Sequence, residues 1–229
     1  DLLTLFPKRK ASTFIDKIIS VTIGWMIFSW IPIFLANKSK FPFFSTAFGQ
    51  FLLFKKHSYL LIGGHKTIKV EILDDFELGR NISRNKLKLK MINGVKDIET
   101  FSYSSEKEAI KGFSRTIFPF FYQSLIGFLI LWFLFISITF IPFLMIFVEF
   151  FNINLDENTN SLILLTWTLL TCSWILAALR SKQSILLAIL FPFATLVTSI
   201  IGFYSVISFF IDNIHWKNRN VIYQKEKNK

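Results

Sequence analysis

The sequence predicts a short α/β region followed by C-terminal transmembrane α-helices, and three observations carry that expectation. First, 52% of the 229 residues are hydrophobic and the mean hydropathy is +0.50. That is too apolar for an ordinary soluble domain and points to a membrane class. Second, charge is segregated. Residues 1–115 carry 19 Lys and Arg against 10 Asp and Glu, whereas residues 116–179 contain neither Lys nor Arg. Third, the polar half alternates strand-like and helix-like patterns. The basic half of a chain with net charge +11 is expected to face the cytoplasm and an anionic leaflet. Nucleic acid is not expected as a partner, because the basic residues are dispersed and no recognition motif is present.

In chain order, Ile18–Ala36 is the first apolar segment. It can span, or lie in the interface under the polar region. Lys17 and Lys38-Ser39-Lys40 flank it, and two basic ends that seek the same side favour the interfacial reading. Phe48–Phe54 reads as a buried strand. Lys55-Lys56-His57-Ser58-Tyr59 opens a short helix that Gly63-Gly64 ends in left-handed conformation. Ile72–Arg84 reads as a helix. Lys86–Met91 alternates with period two, a half-buried strand with its lysines in water. Ser104–Thr116 reads as a helix leading to the membrane.

Crossing a ~30 Å hydrocarbon core takes about 20 apolar residues in a helix. Residues 120–148, 161–179 and 185–211 meet this, and Phe118–Tyr122 can lie along the interface before the first of them. The domain boundaries follow: 1–115 polar, 116–215 membrane helices, 216–229 a basic tail. The acidic connection after Glu149 is expected outside, and Arg180-Ser181-Lys182-Gln183 on the cytoplasmic side. Three spans then place the basic tail outside, so the number of spans stays open. The single Cys172 lies in an apolar run and reads as a buried small hydrophobe. One cysteine makes no disulfide or zinc framework.

The chemistry concentrates in Asp74-Asp75, two carboxylates where an apolar stretch gives way to a helix. Taken alone, acids in a helix first turn are accounted for by the macrodipole. Around them stand Gly49-Gln50-Phe51, Ile62-Gly63-Gly64-His65, Gly112-Phe113-Ser114-Arg115 and Trp216-Lys217-Asn218-Arg219. In this order and spacing they resemble the C-terminal half of a membrane-bound family 2 glycosyltransferase. The likeness is nearest to the subgroup of ceramide glucosyltransferase and the bacterial carotenoid, hopanoid and glycolipid glycosyltransferases. It covers almost the whole chain, although no single motif is specific. Asp1-Leu2-Leu3-Thr4-Leu5-Phe6-Pro7 resembles the stretch shortly after that family's metal-binding Asp-x-Asp.

The resemblance implies a partial GT-A domain, a nucleotide-sugar donor and an inverting transfer of a hexose to a lipid acceptor at a bacterial-type cell membrane. It implies Asp75 as the catalytic base, with Asp74 in place of the family's Glu. It also implies a divalent metal, Mg or Mn, whose ligands are not in this chain but expected upstream of Asp1. Gly49, Gln50 and His65 are implied at the acceptor, although His65 reads first as a turn residue. Arg115 is implied at the leaving diphosphate, where a guanidinium suits phosphate geometry; its plainer reading is a membrane-boundary cation. The family's Gln and Trp around this Arg are missing, and Phe113 is left to supply a flat face. The alternative is a non-catalytic membrane protein, a scaffold or transporter subunit. Transporters usually hold ionisable groups mid-span, and the three apolar segments have none.

Overall fold

The computed structural model describes residues 1–30, 33, 37, 45–69, 71–121, 123–150, 157–211, 215–216 and 219–220, without the side chains of 149–150 and of the last four. It is mostly helical, with a small mixed sheet on one side of a helical bundle. Strands are β1 (Leu2–Phe6), β2 (Lys8–Lys10), β3 (Leu52–Phe54), β4 (Leu89–Asn93) and β5 (Glu99–Phe101), with a two-residue ladder β6 (His215–Trp216) and β7 (Arg219–Asn220). Helices are α1 (Phe14–Trp30), α2 (Lys56–Leu61), α3 (Asp74–Arg84), α4 (Glu106–Phe120), α5 (Leu125–Phe150), α6 (Glu157–Ser181), α7 (Ile185–Ile189) and α8 (Phe191–Ile211).

The main sheet has the order β3-β1-β4. β1 is antiparallel to β3, with Leu3 opposite Leu53, and parallel to β4, with Leu3 opposite Lys90. Alternation along β1 sends Leu2, Thr4 and Phe6 inward. Leu2 packs with Leu78 and Ile82 of α3, and Phe6 with Ile27 of α1, Phe48 and Met91. After Pro7 the chain continues as β2, which pairs in parallel with β5 and sets Glu99 against Lys8 and Lys10.

α1 is buried on two sides, which explains why it lacks a polar face. One side carries Ile27 to the sheet, and the other carries Ile18, Val21 and Trp25 into the helical bundle. Trp25 stacks on Trp174 of α6 at 4.8 Å and donates to Ser173 at 3.0 Å. The exposed donors of its first turn are met by Thr13, which accepts from Asp16 N, and by Glu106 of α4, which accepts from Phe14 N and Ile15 N. The remainder of the 18–36 segment lies largely outside the described residues.

Among the described residues three helices are long and apolar enough to cross a bilayer: Leu125–Val148, Glu157–Ser181 and Phe191–Ile211. Gly202 of α8 permits close approach of α5, since a Cβ there would sit 2.3 Å from the Trp132 ring. The 185–211 segment is not one helix. It breaks at Leu190 because Pro192 cannot donate and its ring crowds the carbonyl four residues earlier. Within Phe118–Tyr122, Phe118 to Phe120 close α4, and Phe118 N donates to Ser205 of α8 at 2.9 Å. Cys172 is exposed on the outside of α6, not buried.

Elsewhere the elements are trimmed. The strand expected over 48–54 begins only at Leu52, because Gly49-Gln50 form a turn. Thr4 Oγ1 takes up the backbone of Phe48, accepting from its N–H at 2.8 Å and donating to its carbonyl at 3.3 Å. α3 closes with Lys86 in left-handed conformation, φ 57°, and Leu87 N reaches back to Ile82 O at 2.9 Å. β4 therefore starts at Leu89, with Lys88 and Lys90 exposed as the alternation predicts.

Candidate functional site

The acidic pair opens α3 with no side-chain cap from Leu73. Its own carboxylates serve the first turn instead. Asp74 Oδ1 accepts from Asp75 N at 3.0 Å, and Asp75 Oδ1 accepts from Phe76 N at 2.9 Å. Asp74 is exposed and Asp75 half-buried. The second oxygen of Asp75 leaves the helix and accepts from Gly49 N at 2.8 Å. Two candidate residues 26 positions apart are thereby in direct contact. A Cβ on residue 49 would stand 3.0 Å from that oxygen, so glycine is what lets the turn come this close.

Burial raises the Asp75 carboxyl to about 6, against the two backbone donors Gly49 and Phe76, which pull it down; the charge of Asp74 pushes it further up. The ordinary value is about 3.9. Asp75 thus changes charge just below neutrality while half shielded from water.

α3 is held against the 45–48 segment through Gly79, one turn beyond Asp75. A Cβ there would meet Ser45 O at 2.6 Å and Ala47 N at 3.1 Å, both backbone atoms. Gly79→Ala is therefore expected to push the segment carrying Gly49 away and to cost roughly 1–3 kcal/mol. A lowered unfolding midpoint in detergent checks it; an unchanged midpoint contradicts this packing.

The other candidates lie in different surroundings. Gln50 follows Gly49 in the turn and is exposed. His65 is exposed too, and its ring Nδ1 lies 2.8 Å from Tyr59 Oη, which also accepts from His65 N at 3.1 Å. Gly63 and Gly64 have φ 75° and 53°, as their left-handed reading requires, and the Tyr59 ring occupies the space above Gly64. His65 is thus a turn-closing partner of Tyr59. Phe113 is 4% exposed, set edge-on to Tyr103 at 5.2 Å, with the Arg9 guanidinium 5.2 Å from its ring centre. A ring so enclosed has no free flat face, so that role for Phe113 is corrected. Arg115 is half-buried beside Tyr103; burial lowers its affinity for the proton, and the Tyr103 phenol opposes that. The structure brings Asp75, Gly49 and Gln50 together, and gathers Arg115 and Phe113 around Tyr103.

That second cluster has a centre that the sequence reading did not single out. Asp16 on α1 is 0% exposed, and its Oδ1 accepts from Ser102 at 2.8 Å, Ser20 at 3.3 Å and Arg9 at 3.4 Å. Arg9 also donates to Ser20 at 3.1 Å and Ser102 at 2.8 Å. The signal was present: a lone acid within Phe14–Ile19 must be paired if its helix is buried.

Among the described residues no group of three or more His, Cys, Asp or Glu is placed to hold a metal ion. The described residues thus offer no fit to the Mg or Mn that the resemblance implies, whose ligands it places outside this chain. No family model, curated protein or solved structure matches this chain.

Proposed function

We propose that this chain is the acceptor-side, membrane-embedded part of an inverting hexosyltransferase that acts on a lipid hydroxyl, with Asp75 as general base. The observation that carries the reading is the Asp75 carboxylate itself. It is oriented by Gly49 N–H and Phe76 N–H, half-buried, and raised to about 6. A base works best when its proton affinity lies near the working pH and its geometry is fixed beforehand. In the step, Asp75 takes the hydroxyl proton as the acceptor oxygen bonds to the anomeric carbon. The bond from that carbon to the diphosphate breaks, and the nucleoside diphosphate leaves with the electron pair. Arg115, which stands beside Tyr103 rather than with Asp75, is assigned no part in this step.

The test is a transfer assay on membranes carrying the full-length protein, with radiolabelled nucleoside-diphosphate hexoses and a total lipid extract. Labelled glycolipid is expected, and Asp75→Asn membranes should form almost none. Glycolipid formed equally by the variant would remove Asp75 from the mechanism. The pH profile gives a second check. Only the deprotonated carboxylate accepts a proton, so the rate should be level above about pH 6 and fall about tenfold per unit below it. A rate that holds to pH 4 contradicts a base of this proton affinity.

A further inference from the structure

α6 ends in a cationic loop whose backbone is fixed. Gln183 N reaches back to Ala178 O at 2.9 Å and Lys182 N to Leu179 O at 3.3 Å. Lys182 takes the left-handed conformation that closes such a helix end, φ 52°. Ser181 is buried against α1, where a Cβ on Gly24 would stand 2.8 Å from its Oγ. Two side chains tie the loop to the strands. Asn93, which ends β4, donates to Arg180 O at 3.3 Å, and Gln183 donates to Arg9 O of β2 at 3.1 Å. Arg180 and Lys182 are both exposed, and so is Lys96 in the turn that follows Asn93. None of these three cations forms an ion pair among the described residues, and no acid occurs in the sequence between Glu157 and Asp212. Apolar surface begins at once on both sides of the loop: Leu176 and Leu179 of α6 and Ile185 and Leu186 of α7 are exposed.

We propose that Arg180 and Lys182, together with Lys96, bind the headgroup phosphate of an anionic phospholipid whose chains stay in the surrounding bilayer. In a membrane crossed by α6, the exposed Leu179, Ile185 and Leu186 meet acyl chains, and the cations beside them stand at headgroup level. A guanidinium and an ammonium on a fixed loop suit a phosphodiester. The adjoining apolar side chains favour a lipid over a soluble anion, which would gain nothing from them. The unpaired cations select a lipid of net negative charge, such as phosphatidylglycerol, over a zwitterionic one, whose own ammonium competes with the loop for the phosphate.

The test is native mass spectrometry of the full-length protein in detergent, titrated with dioleoylphosphatidylglycerol or with dioleoylphosphatidylcholine. Phosphatidylglycerol is expected to bind about tenfold more tightly. Lys182→Gly should weaken that binding about fivefold, and Arg180→Gln with Lys182→Gly about thirtyfold, the order set by one and two cations at an anionic surface. Glycine is the residue preferred at a left-handed helix end, so the charge is lost while the loop is kept. Lys86→Gly is the matched control. Lys86 also ends a helix in left-handed conformation, at φ 57°, but it precedes β4 whereas the loop lies at the far end of that strand, and its variant should bind like the wild type. Equal binding of the two lipids, or an equal loss in Lys86→Gly, would overturn the site. Displacement of bound phosphatidylglycerol by millimolar glycerol phosphate would make the occupant a soluble anion and overturn the assignment to a lipid.

Discussion

Asp75→Asn is expected to lower turnover by about 10²- to 10⁴-fold, the usual share of a positioned general base. The fold should survive. Because the Asp75 carboxyl is raised by burial, to about 6, the folded chain holds its proton more tightly than the unfolded chain does. The sign follows from this: the group favours the folded state most below the unfolded value of about 3.9, and that contribution is lost as pH rises through about 6. At neutral pH the charged carboxylate is therefore a cost, and a neutral amide removes it. Against this, the amide can accept from only one of Gly49 N and Phe76 N and must turn its NH₂ toward the other, a loss of about 1 kcal/mol. Unfolding midpoints of the two proteins should lie close together above pH 6 while their transfer rates differ by orders of magnitude. A variant that loses both together would point to a structural role for Asp75.

Arg9→Met is expected to give the largest loss of stability, about 3–5 kcal/mol, because it leaves the buried Asp16 carboxylate without its cation. Arg9 holds four groups at once: Asp16, Ser20, Ser102 and, through its face, the Phe113 ring. In a chain of this size such a loss lowers the thermal midpoint by roughly 10 °C. The double variant Arg9→Met/Asp16→Leu should recover most of it, since an apolar pair of similar volume avoids the desolvation of either charge. A double variant no more stable than Arg9→Met alone would show that the damage lies in lost packing on Phe113. The contrast with the Lys8 and Lys10 pairs to Glu99 is instructive: Glu99 stands in solvent, where screening leaves an ion pair little effect on stability.

Position by position, the sequence was legible where a periodicity or a forbidden backbone conformation forced the outcome. The three long apolar runs emerge as helices able to span a bilayer, since such segments must satisfy their own backbone groups. Gly63-Gly64 take left-handed values, and Lys88 and Lys90 alternate into water. It was less legible where a side chain replaced a ladder. Thr4 takes the backbone of Phe48 and cuts the expected strand to Leu52–Phe54, and no local pattern announces that. The exposure of Cys172 likewise depended on which face of α6 meets its neighbours. In a span that is apolar all round, composition does not tell one face from another.

For the candidate site the division is similar. Local sequence determined that two acids open a helix in a basic half followed by long apolar helices, because acid-rich first turns and long apolar runs are short-range properties. Only the tertiary structure decided which acid turns inward, because the burial of Asp75 and its contact with Gly49 depend on Gly79 letting α3 lie against the 45–48 backbone. Only the tertiary structure, too, separated Arg115 and Phe113 into the Tyr103 cluster and placed Phe76 against Phe120. Proton affinity and enclosure are set by neighbours distant in sequence, and a linear pattern carries no record of the distances on which desolvation and hydrogen bonding depend.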